Sequence, residues 1–403
     1  MNSIPTQDPS AHAPEKPSPA VVLLHAGFVF TGIATVLLGP LLPFLAARWR
    51  LSDAQSGLFF TAQFAGSLCG TALTSLLLPR RGFRLVLRAG YALMACGIAL
   101  LWHFSWLGAL FSVTAYGIGL GLVIPATNLW AGETAGKSRA AAIALLNLSW
   151  SAGAIACAPL LALSAQHGGP GAFLAGLAIA LSVVALLAAL LAGRSAESAP
   201  STSEISPQDH AATPGLATFI FLGLLFFLYI GCENALGGWV ASHAQRIGGG
   251  TLWLLTPSFF WGGLLLGRAL LPAALKLARE SEILLASLLL SAIGTFLLLS
   301  AQSGAALAGA TAASGLGLGA VYPLLISCMT ATFATKARRF GAVFFSLSSC
   351  GGALLPWMVG AISAHWTSLR AGLTVPFASV VLMLGIWMLR PRATRNIAPS
   401  RER

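Results

Sequence analysis

Charge is what this sequence has least of. Only 8% of its 403 residues are Asp, Glu, Lys or Arg, against 57% that are hydrophobic. Soluble domains carry about 25% charged residues, and a chain this apolar has too little polar surface to clothe itself in water. A free-standing soluble protein is excluded, and a polytopic membrane protein is what remains. Acids are scarcer still, 11 Asp and Glu beside 23 Lys and Arg. Metal spacings are missing too. The six cysteines (Cys69, Cys96, Cys157, Cys232, Cys328 and Cys350) lie singly in apolar runs without a C-x-x-C pair, and the seven histidines make no H-E-x-x-H. The cysteines read as small buried apolar residues, and neither a metal nor a cofactor is expected. There is no P-loop. "GLGLGA" at Gly315–Ala320 has the spacing of a dinucleotide loop, but it stands inside a membrane-length apolar run with no βαβ unit around it. An ATP-driven pump would need a nucleotide-binding domain, for which there is no room. No nucleophile–base or metal set supports an intramembrane enzyme.

What the sequence has in quantity is apolar runs of about 20 residues, the length that crosses the hydrocarbon core. Twelve can be read, near 20–47, 55–78, 85–104, 107–130, 139–163, 172–193, 215–242, 252–273, 282–301, 305–330, 340–364 and 370–390. An all-α membrane protein follows. Residues 1–19 are polar and Pro-rich, as a disordered tail is, and lack the basic start and short apolar core of a cleavable signal. The Ser- and Pro-rich "GRSAESAPSTSEISPQDHAATPG" after span six reads as a flexible linker. The expected organisation is a tail (1–19), a six-helix bundle (20–193), a linker (194–214), a second six-helix bundle (215–390) and a basic tail (391–403).

The basic residues set an orientation. With a cytoplasmic N-terminus, eighteen of the 23 Lys and Arg fall in cytoplasmic segments; Arg48, Arg50, Arg246 and Arg370 fall outside, and Arg268 lies within a span. The positive-inside rule then puts both termini in the cytoplasm, in a cytoplasmic (inner) membrane. The charge of +12 is therefore topological. It meets anionic headgroups of the lipid bilayer, and no nucleic acid partner is expected. Nothing signals a dimer, so a monomer is expected.

The two halves repeat. "GIGLGLVIP" (Gly117–Pro125, span four) matches "GLGLGAVYP" (Gly315–Pro323, span ten) at an offset of 198, and "NLSWSAGA" (Asn147–Ala154, span five) matches "SLSSCGGA" (Ser346–Ala353, span eleven) at 199. Glycines so dense thin a helix and let neighbours approach. A six-helix unit duplicated in parallel resembles the major facilitator superfamily, which implies two pseudo-symmetric bundles with a substrate site between them near mid-membrane. Many members of that superfamily carry a Gly-x-x-x-Asp-Arg-x-Gly-Arg-Arg loop after the second helix. In "SLLLPRRGFR" (Ser75–Arg84), Arg80, Gly82 and Arg84 match it as a cytoplasmic gating loop, while Pro79 replaces the aspartate and Ser75 the first glycine.

One acid stands deep in an apolar run: Glu233, within "FFLYIGCENALGGWVASH" (Phe226–His243). Burying a lone carboxylate at mid-membrane costs several kcal/mol, and such residues usually face a cavity. Arg268 is the one basic residue inside a span, and the span limits place it about 15 Å from Glu233 in depth, too far for a direct pair. Glu233 is therefore expected to carry a proton or bind substrate. Asn234 beside it, with Gly237 and Gly238, suggests a polar and bent segment lining a cavity, and Trp239 reads as an interfacial anchor or a gate. Gln63, Asn128, Asn147, Trp150, Trp261 and Tyr322 fall at comparable depths. Amides donate and accept, and aromatic rings stack on weakly apolar faces, so together they suit a neutral polyhydroxylated solute. Each alone is as readily a helix–helix contact.

"YIGCENALGGW" (Tyr229–Trp239), "FFWGGLLLGR" (Phe259–Arg268), "NLSWSAGA" and "GGALLPW" (Gly351–Trp357) resemble the fucose–galactose–hexose symporter branch of that superfamily. The resemblance implies a sugar as substrate, moved by alternating access, with H⁺ or Na⁺ as coupling ion or none. The chain departs from the branch in having no acid in span one or span four, where fucose permeases carry their proton-coupling acids; Ile124 takes the fourth-helix place. That leaves Glu233 to carry protons. An exporter of drugs or amphipathic metabolites is the alternative, favoured by an apolar cavity, and a collapsed cavity would favour a transport-dead sensor.

Overall fold

The computed structural model describes residues 19–134, 139–191, 215–248, 250–333 and 337–390. The expected tails, the linker 194–214 and the basic residues Lys16, Lys137, Arg194 and Lys336 lie outside the described residues. Among the described residues there is no strand. The helices are α1 (Pro19–Val36), α2 (Leu38–Trp49), α3 (Asp53–Leu100), α4 (Trp106–Thr134), α5 (Arg139–His167), α6 (Gly169–Leu191), α7 (Leu216–Arg246), α8 (Thr256–Leu277), α9 (Glu280–Ser300), α10 (Gly304–Gly319), α11 (Val321–Phe333), α12 (Ala337–Trp366), α13 (Leu369–Gly372) and α14 (Thr374–Met388).

These helices make twelve crossings. Eleven helical stretches are long and apolar enough to span a bilayer, and one of them, α3, is two spans. At 1.5 Å per residue an unbroken 48-residue helix would run about 72 Å, more than twice the hydrocarbon core. The chain instead reverses at Gly82, whose φ of 69° and ψ of 174° break the helix. A positive φ is cheap only without a Cβ. α1 with α2, and α10 with α11, are each one span with a break. Proline has no N–H to give the carbonyl four residues back. Pro40 frees Val36 and Pro323 frees Gly319, and α1 and α10 end at those two residues.

Twelve crossings return the chain to the side where it started, so Pro19 and Met388 share what we call the termini end; the opposite end is the far end. The repeat is visible in the packing. Span two meets span four through Gly70 and Gly121, where a Cβ on Gly70 would lie 3.0 Å from the Gly121 Cα; span eight meets span ten through Gly267 and Gly319, with 3.1 Å for the same test. Spans five and eleven correct the sequence register by one residue. Gly153 faces the Val29 carbonyl of span one, and Gly351, not Gly352, faces the Phe227 carbonyl of span seven. The offset is 198 for spans one, four and five and 197 for span two, where Gly70 corresponds to Gly267, and Gly352 instead makes room for Phe64 of the other bundle.

The bundles join at the far end and part at the termini end. Asp53 at the start of span two takes two bonds from Arg246 at the end of span seven, at 2.7 and 2.5 Å, and one from Ser363 of span eleven. Deeper, Thr61 donates to the Ala353 carbonyl at 2.9 Å and Ser258 to the Ile155 carbonyl at 2.6 Å. Phe60 packs on Trp239, ring centroids 6.2 Å apart. Below this the inter-bundle helices are bare: Leu145, Asn147 and Leu148 on span five, and Val343 and Phe345 on span eleven, are exposed. Three of the cysteines, Cys69, Cys96 and Cys350, are also exposed rather than buried. Trp239 is no interfacial anchor. It is buried in the far-end seal and donates to the Pro356 carbonyl at 2.8 Å.

Candidate functional site

Directly beneath the far-end seal lies a cleft between the bundles, constricted in this conformation to about 10 Å³, room for about one water molecule, and lined by Thr35, Phe60, Gln63, Asn234, Gly237 and Trp261 among others. Three of the eight residues expected at the site, Gln63, Asn234 and Trp261, thus meet around one space. Trp150 joins them from span five, edge-on to Trp261 with ring centroids 5.8 Å apart. The two indoles form a ceiling from opposite bundles. Trp261 is 4% exposed, and its Nε1 has no hydrogen-bond partner. An unsatisfied buried donor costs about 1–3 kcal/mol, and one that lines a cleft is poised for an acceptor from a ligand.

Gln63 has prior commitments. Its Nε2 donates to the Thr35 carbonyl at 2.9 Å, and its Oε1 accepts from the Tyr116 hydroxyl at 3.0 Å. Thr35 Oγ1 in turn accepts from Trp150 Nε1 at 3.3 Å. Thr35 and Tyr116 escaped the sequence reading because a threonine in a span usually bonds its own helix and a tyrosine usually packs. Asn234 Nδ2 returns to the Ile230 carbonyl at 2.9 Å, which leaves its Oδ1 free to accept. α7 is not broken at its glycines. It runs unbroken from Leu216 to Arg246, and Gly237 and Gly238 serve close approach: a Cβ on Gly237 would stand 2.8 Å from Trp261, and one on Gly238 would strike Phe60 at 2.5 Å.

Asn128 and Asn147 form a second group on the N-terminal bundle, nearer the termini end. Asn147 Nδ2 reaches Asn128 Oδ1 at 3.4 Å, and both amides also donate to their own helix. His25 of span one bonds Ser149 at 2.8 Å beside them.

The third group belongs to the C-terminal bundle and overturns an expectation. Arg268 Nη2 lies 3.6 Å from Glu233 Oε2, so the two form an ion pair. The sequence reading began span eight at residue 252. Residues Gly250–Leu255 are a 3₁₀ turn, and the helix starts at Thr256. Arg268 is then about 18 Å below the helix start, and Glu233 about 20 Å below the far end of α7, which is the same depth. The Tyr229 hydroxyl, one turn before Glu233, donates to the same Oε2. Tyr322 stacks on Tyr229 at 5.4 Å. Glu233 is 6% exposed, and it is held by Tyr229 and Arg268 rather than alone. The i, i+4 spacing of Tyr229 and Glu233 was the available signal.

Trp261 and Arg268 are seven residues apart, hence on one face of α8 and about 10 Å apart along it. That face carries the Trp ceiling at one level and the guanidinium two turns nearer the open end. Of the loop residues, Gly82 makes the reversal described above. Arg80 and Arg84 are exposed and make no side-chain bond among the described residues.

A family model described as Major Facilitator Superfamily matches residues 24–280. No curated relative matches. Among solved structures, a D-xylose–proton symporter superposes with a TM-score of 0.74 at 15% identity, covering 93% of this chain and 98% of that one. A bacterial homologue of the human lysosomal transporter Spinster, inward-facing and unoccupied, gives 0.73 at 15%, covering 94% and 98%. The E. coli fucose:proton symporter FucP gives 0.60 at 17%, covering 93% and 98%, and in its outward conformation 0.59 at 18%, covering 93% and 99%. At these identities the likeness is one of fold.

Proposed function

The chain belongs to the Major Facilitator Superfamily and is a transporter rather than an enzyme, and from that premise we propose that it moves a small polar solute, a sugar, across the cytoplasmic membrane by alternating access. One observation carries the reading: polar groups from both bundles converge on one cleft that is sealed at the far end and flanked by bare helix faces at the other. Amides and indoles around such a space suit hydroxyl groups, which both donate and accept. The unpartnered Trp261 Nε1 and the free Asn234 Oδ1 offer that cleft one donor and one acceptor.

The excess of Lys and Arg at the termini end supports a cytoplasmic location for both termini. The far-end seal is then external, and this conformation faces inward. In this reading 20–193 and 215–390 are the rocking bundles, 194–214 joins them in the cytoplasm, and Arg80, Gly82 and Arg84 form the cytoplasmic gate. Glu233 is the proton carrier if transport is proton-linked, and the unit is a monomer. The test is labelled hexose uptake in proteoliposomes, with and without an inward proton gradient, for wild type and Glu233→Gln. Uptake accelerated by the gradient and uncoupled by the substitution supports a proton-linked symporter. Gradient-indifferent uptake points to a facilitator. An absence of uptake favours export of amphipathic compounds, which the aromatic lining by Phe60 and Trp261 would also accept.

A further inference from the structure

Among the described residues two arginines pair with acids, and the pairs differ in kind. Arg246 grips Asp53 with two nitrogens at 2.7 and 2.5 Å, the fork geometry that a guanidinium prefers. Arg268 approaches Glu233 with a single nitrogen at 3.6 Å, beyond hydrogen-bond range. The oxygen it approaches is already taken by the Tyr229 hydroxyl, which also lies against the Arg268 guanidinium. The Arg268 Nε is buried and has no partner at all. A guanidinium carries five N–H donors, and leaving one unsatisfied in a low-dielectric interior is costly. This arginine holds donor capacity in reserve. Its place on the Trp261 face of α8, and its side chain 26% exposed, keep it within reach of the space between the bundles.

The geometry points to Arg268 as the receiver of a carboxylate on the transported solute, with Glu233 as the internal carboxylate that the solute displaces. The substrate class is then a polyhydroxylated monocarboxylate: a sugar acid whose hydroxyls meet the amide and indole groups and whose carboxylate forks onto Arg268. This deepens the reading of the same cleft given above and rests on it.

Charge balance fixes the coupling. Glu233 and Arg268 sum to zero. The ionisable groups in electrostatic contact with them are Tyr229 and Cys232 on α7 and Tyr322 on α11, all neutral when protonated. An incoming monoanion would leave the site at −1 in a medium that penalises net charge. A proton taken up by the Glu233 carboxylate restores neutrality and frees Arg268 for the substrate. One anion and one proton cross together, and the cycle moves no net charge. At equilibrium such a carrier concentrates the anion about tenfold for each pH unit across the membrane, whatever the membrane potential.

The experiment measures labelled D-glucuronate and labelled D-galactose in the same proteoliposomes, under an inward proton gradient of one pH unit, with the potential set by potassium and valinomycin. The expected result is up to tenfold accumulation of glucuronate, unchanged by the potential, with galactose at most equilibrating. Arg268→Gln should abolish glucuronate accumulation, Arg268→Lys should restore part of it, and Glu233→Gln should reduce it to equilibration. Accumulation of galactose with no movement of glucuronate overturns the inference and leaves the sugar-transport reading intact. Glucuronate uptake driven by potential rather than pH, or unaffected in a folded Arg268→Gln protein, also overturns it. If neither solute moves, the sugar-transport reading falls and takes the inference with it. The comparison of the two solutes in wild type does not depend on any variant folding.

Discussion

The perturbation with the cleanest expected outcome is Asp53→Asn. Asp53 joins the first bundle to the second at the far end, through Arg246 and Ser363. The contact exists only while the far end is closed. Its value is set by opposing factors. A hydrogen bond to a charged group contributes about 1.5–3 kcal/mol, and Asp53 is mostly buried, its side chain 12% exposed. The Arg246 side chain is 46% exposed, and solvent screening brings exposed pairs down to about 1 kcal/mol or less. A net of about 1–2 kcal/mol is reasonable, which is a factor of about 5–30 in an equilibrium. Asp53 also sits in the first turn of α3, where a negative charge favours the helix. That helix persists in both conformations, so the term cancels. The assay is pulsed electron–electron distance measurement between spin labels at Ser105 and Gln302, on far-end loops of opposite bundles, in a cysteine-free background. Asp53→Asn should add a longer-distance population at the expense of the short one by that factor. Arg246→Gln should do the same, and the double variant should match either single, because the two residues act as one contact. An unchanged distance distribution in both single variants would refute the latch.

Three further outcomes follow from the packing and the site. Gly117→Leu and Gly315→Leu should each force spans apart, since a Cβ would lie 3.2 Å from the Gln63 Cα in one and 3.0 Å from the Phe260 carbonyl carbon in the other. Both should lower the melting temperature in detergent comparably, by at least the roughly 1–3 kcal/mol of overpacking, and a loss in only one would break the equivalence of the halves. Trp261→Phe deletes the unpartnered Nε1 together with part of a packed indole, so melting should fall by the equivalent of about 1–2 kcal/mol while half-saturation of uptake rises roughly 3- to 10-fold. Tyr229→Phe preserves the stack on Tyr322 and removes the donor to Glu233; melting should fall by the equivalent of about 1.5–3 kcal/mol, and an unaltered melting curve would mean the hydroxyl does not hold the carboxylate.

Twelve crossings and the duplication were legible because apolar run length and glycine spacing are local. The loop at Gly82 was legible from its motif, whereas the positive φ that reverses the chain there was not. The exposure of Cys69, Cys96 and Cys350 was not, for a physical reason. In a bilayer the lipid-facing side of a helix is as apolar as its packed side, so composition does not tell inside from outside. The start of span eight was misjudged because "GTLWLL" (Gly250–Leu255) is apolar enough to pass for helix. Four residues of error there are about 6 Å of the roughly 15 Å that separated Arg268 from Glu233 on paper, and ending span seven at 242 rather than at Arg246 added part of the rest. The pairing of Asp53 with Arg246, 193 residues apart, has no periodicity to announce it. The eight proposed site residues came together only in part: Gln63, Asn234, Trp261 and Trp150 around the cleft, Asn128 with Asn147, and Glu233 and Tyr322 joined through Tyr229.

The two halves share a backbone plan but not a decoration, and the difference bears on how transport is driven. Span two carries Gln63, anchored by Tyr116 and Thr35, where span eight carries its aromatic and basic groups, Trp261 and Arg268. The first bundle therefore offers fixed neutral amides, which bind the same way at any pH. The second holds a carboxylate, a guanidinium and two phenols within contact of one another, while the first adds one titratable group beside its second amide pair, the His25 imidazole against Ser149. In the proton-linked reading proposed above, a change of charge at Glu233 would reach the first bundle through the surfaces the two share, the Trp150–Trp261 contact and the far-end latch. A substrate that bridges both bundles binds the closed form better than the open one, and that difference in affinity is the only source from which a ligand can shift a conformational equilibrium.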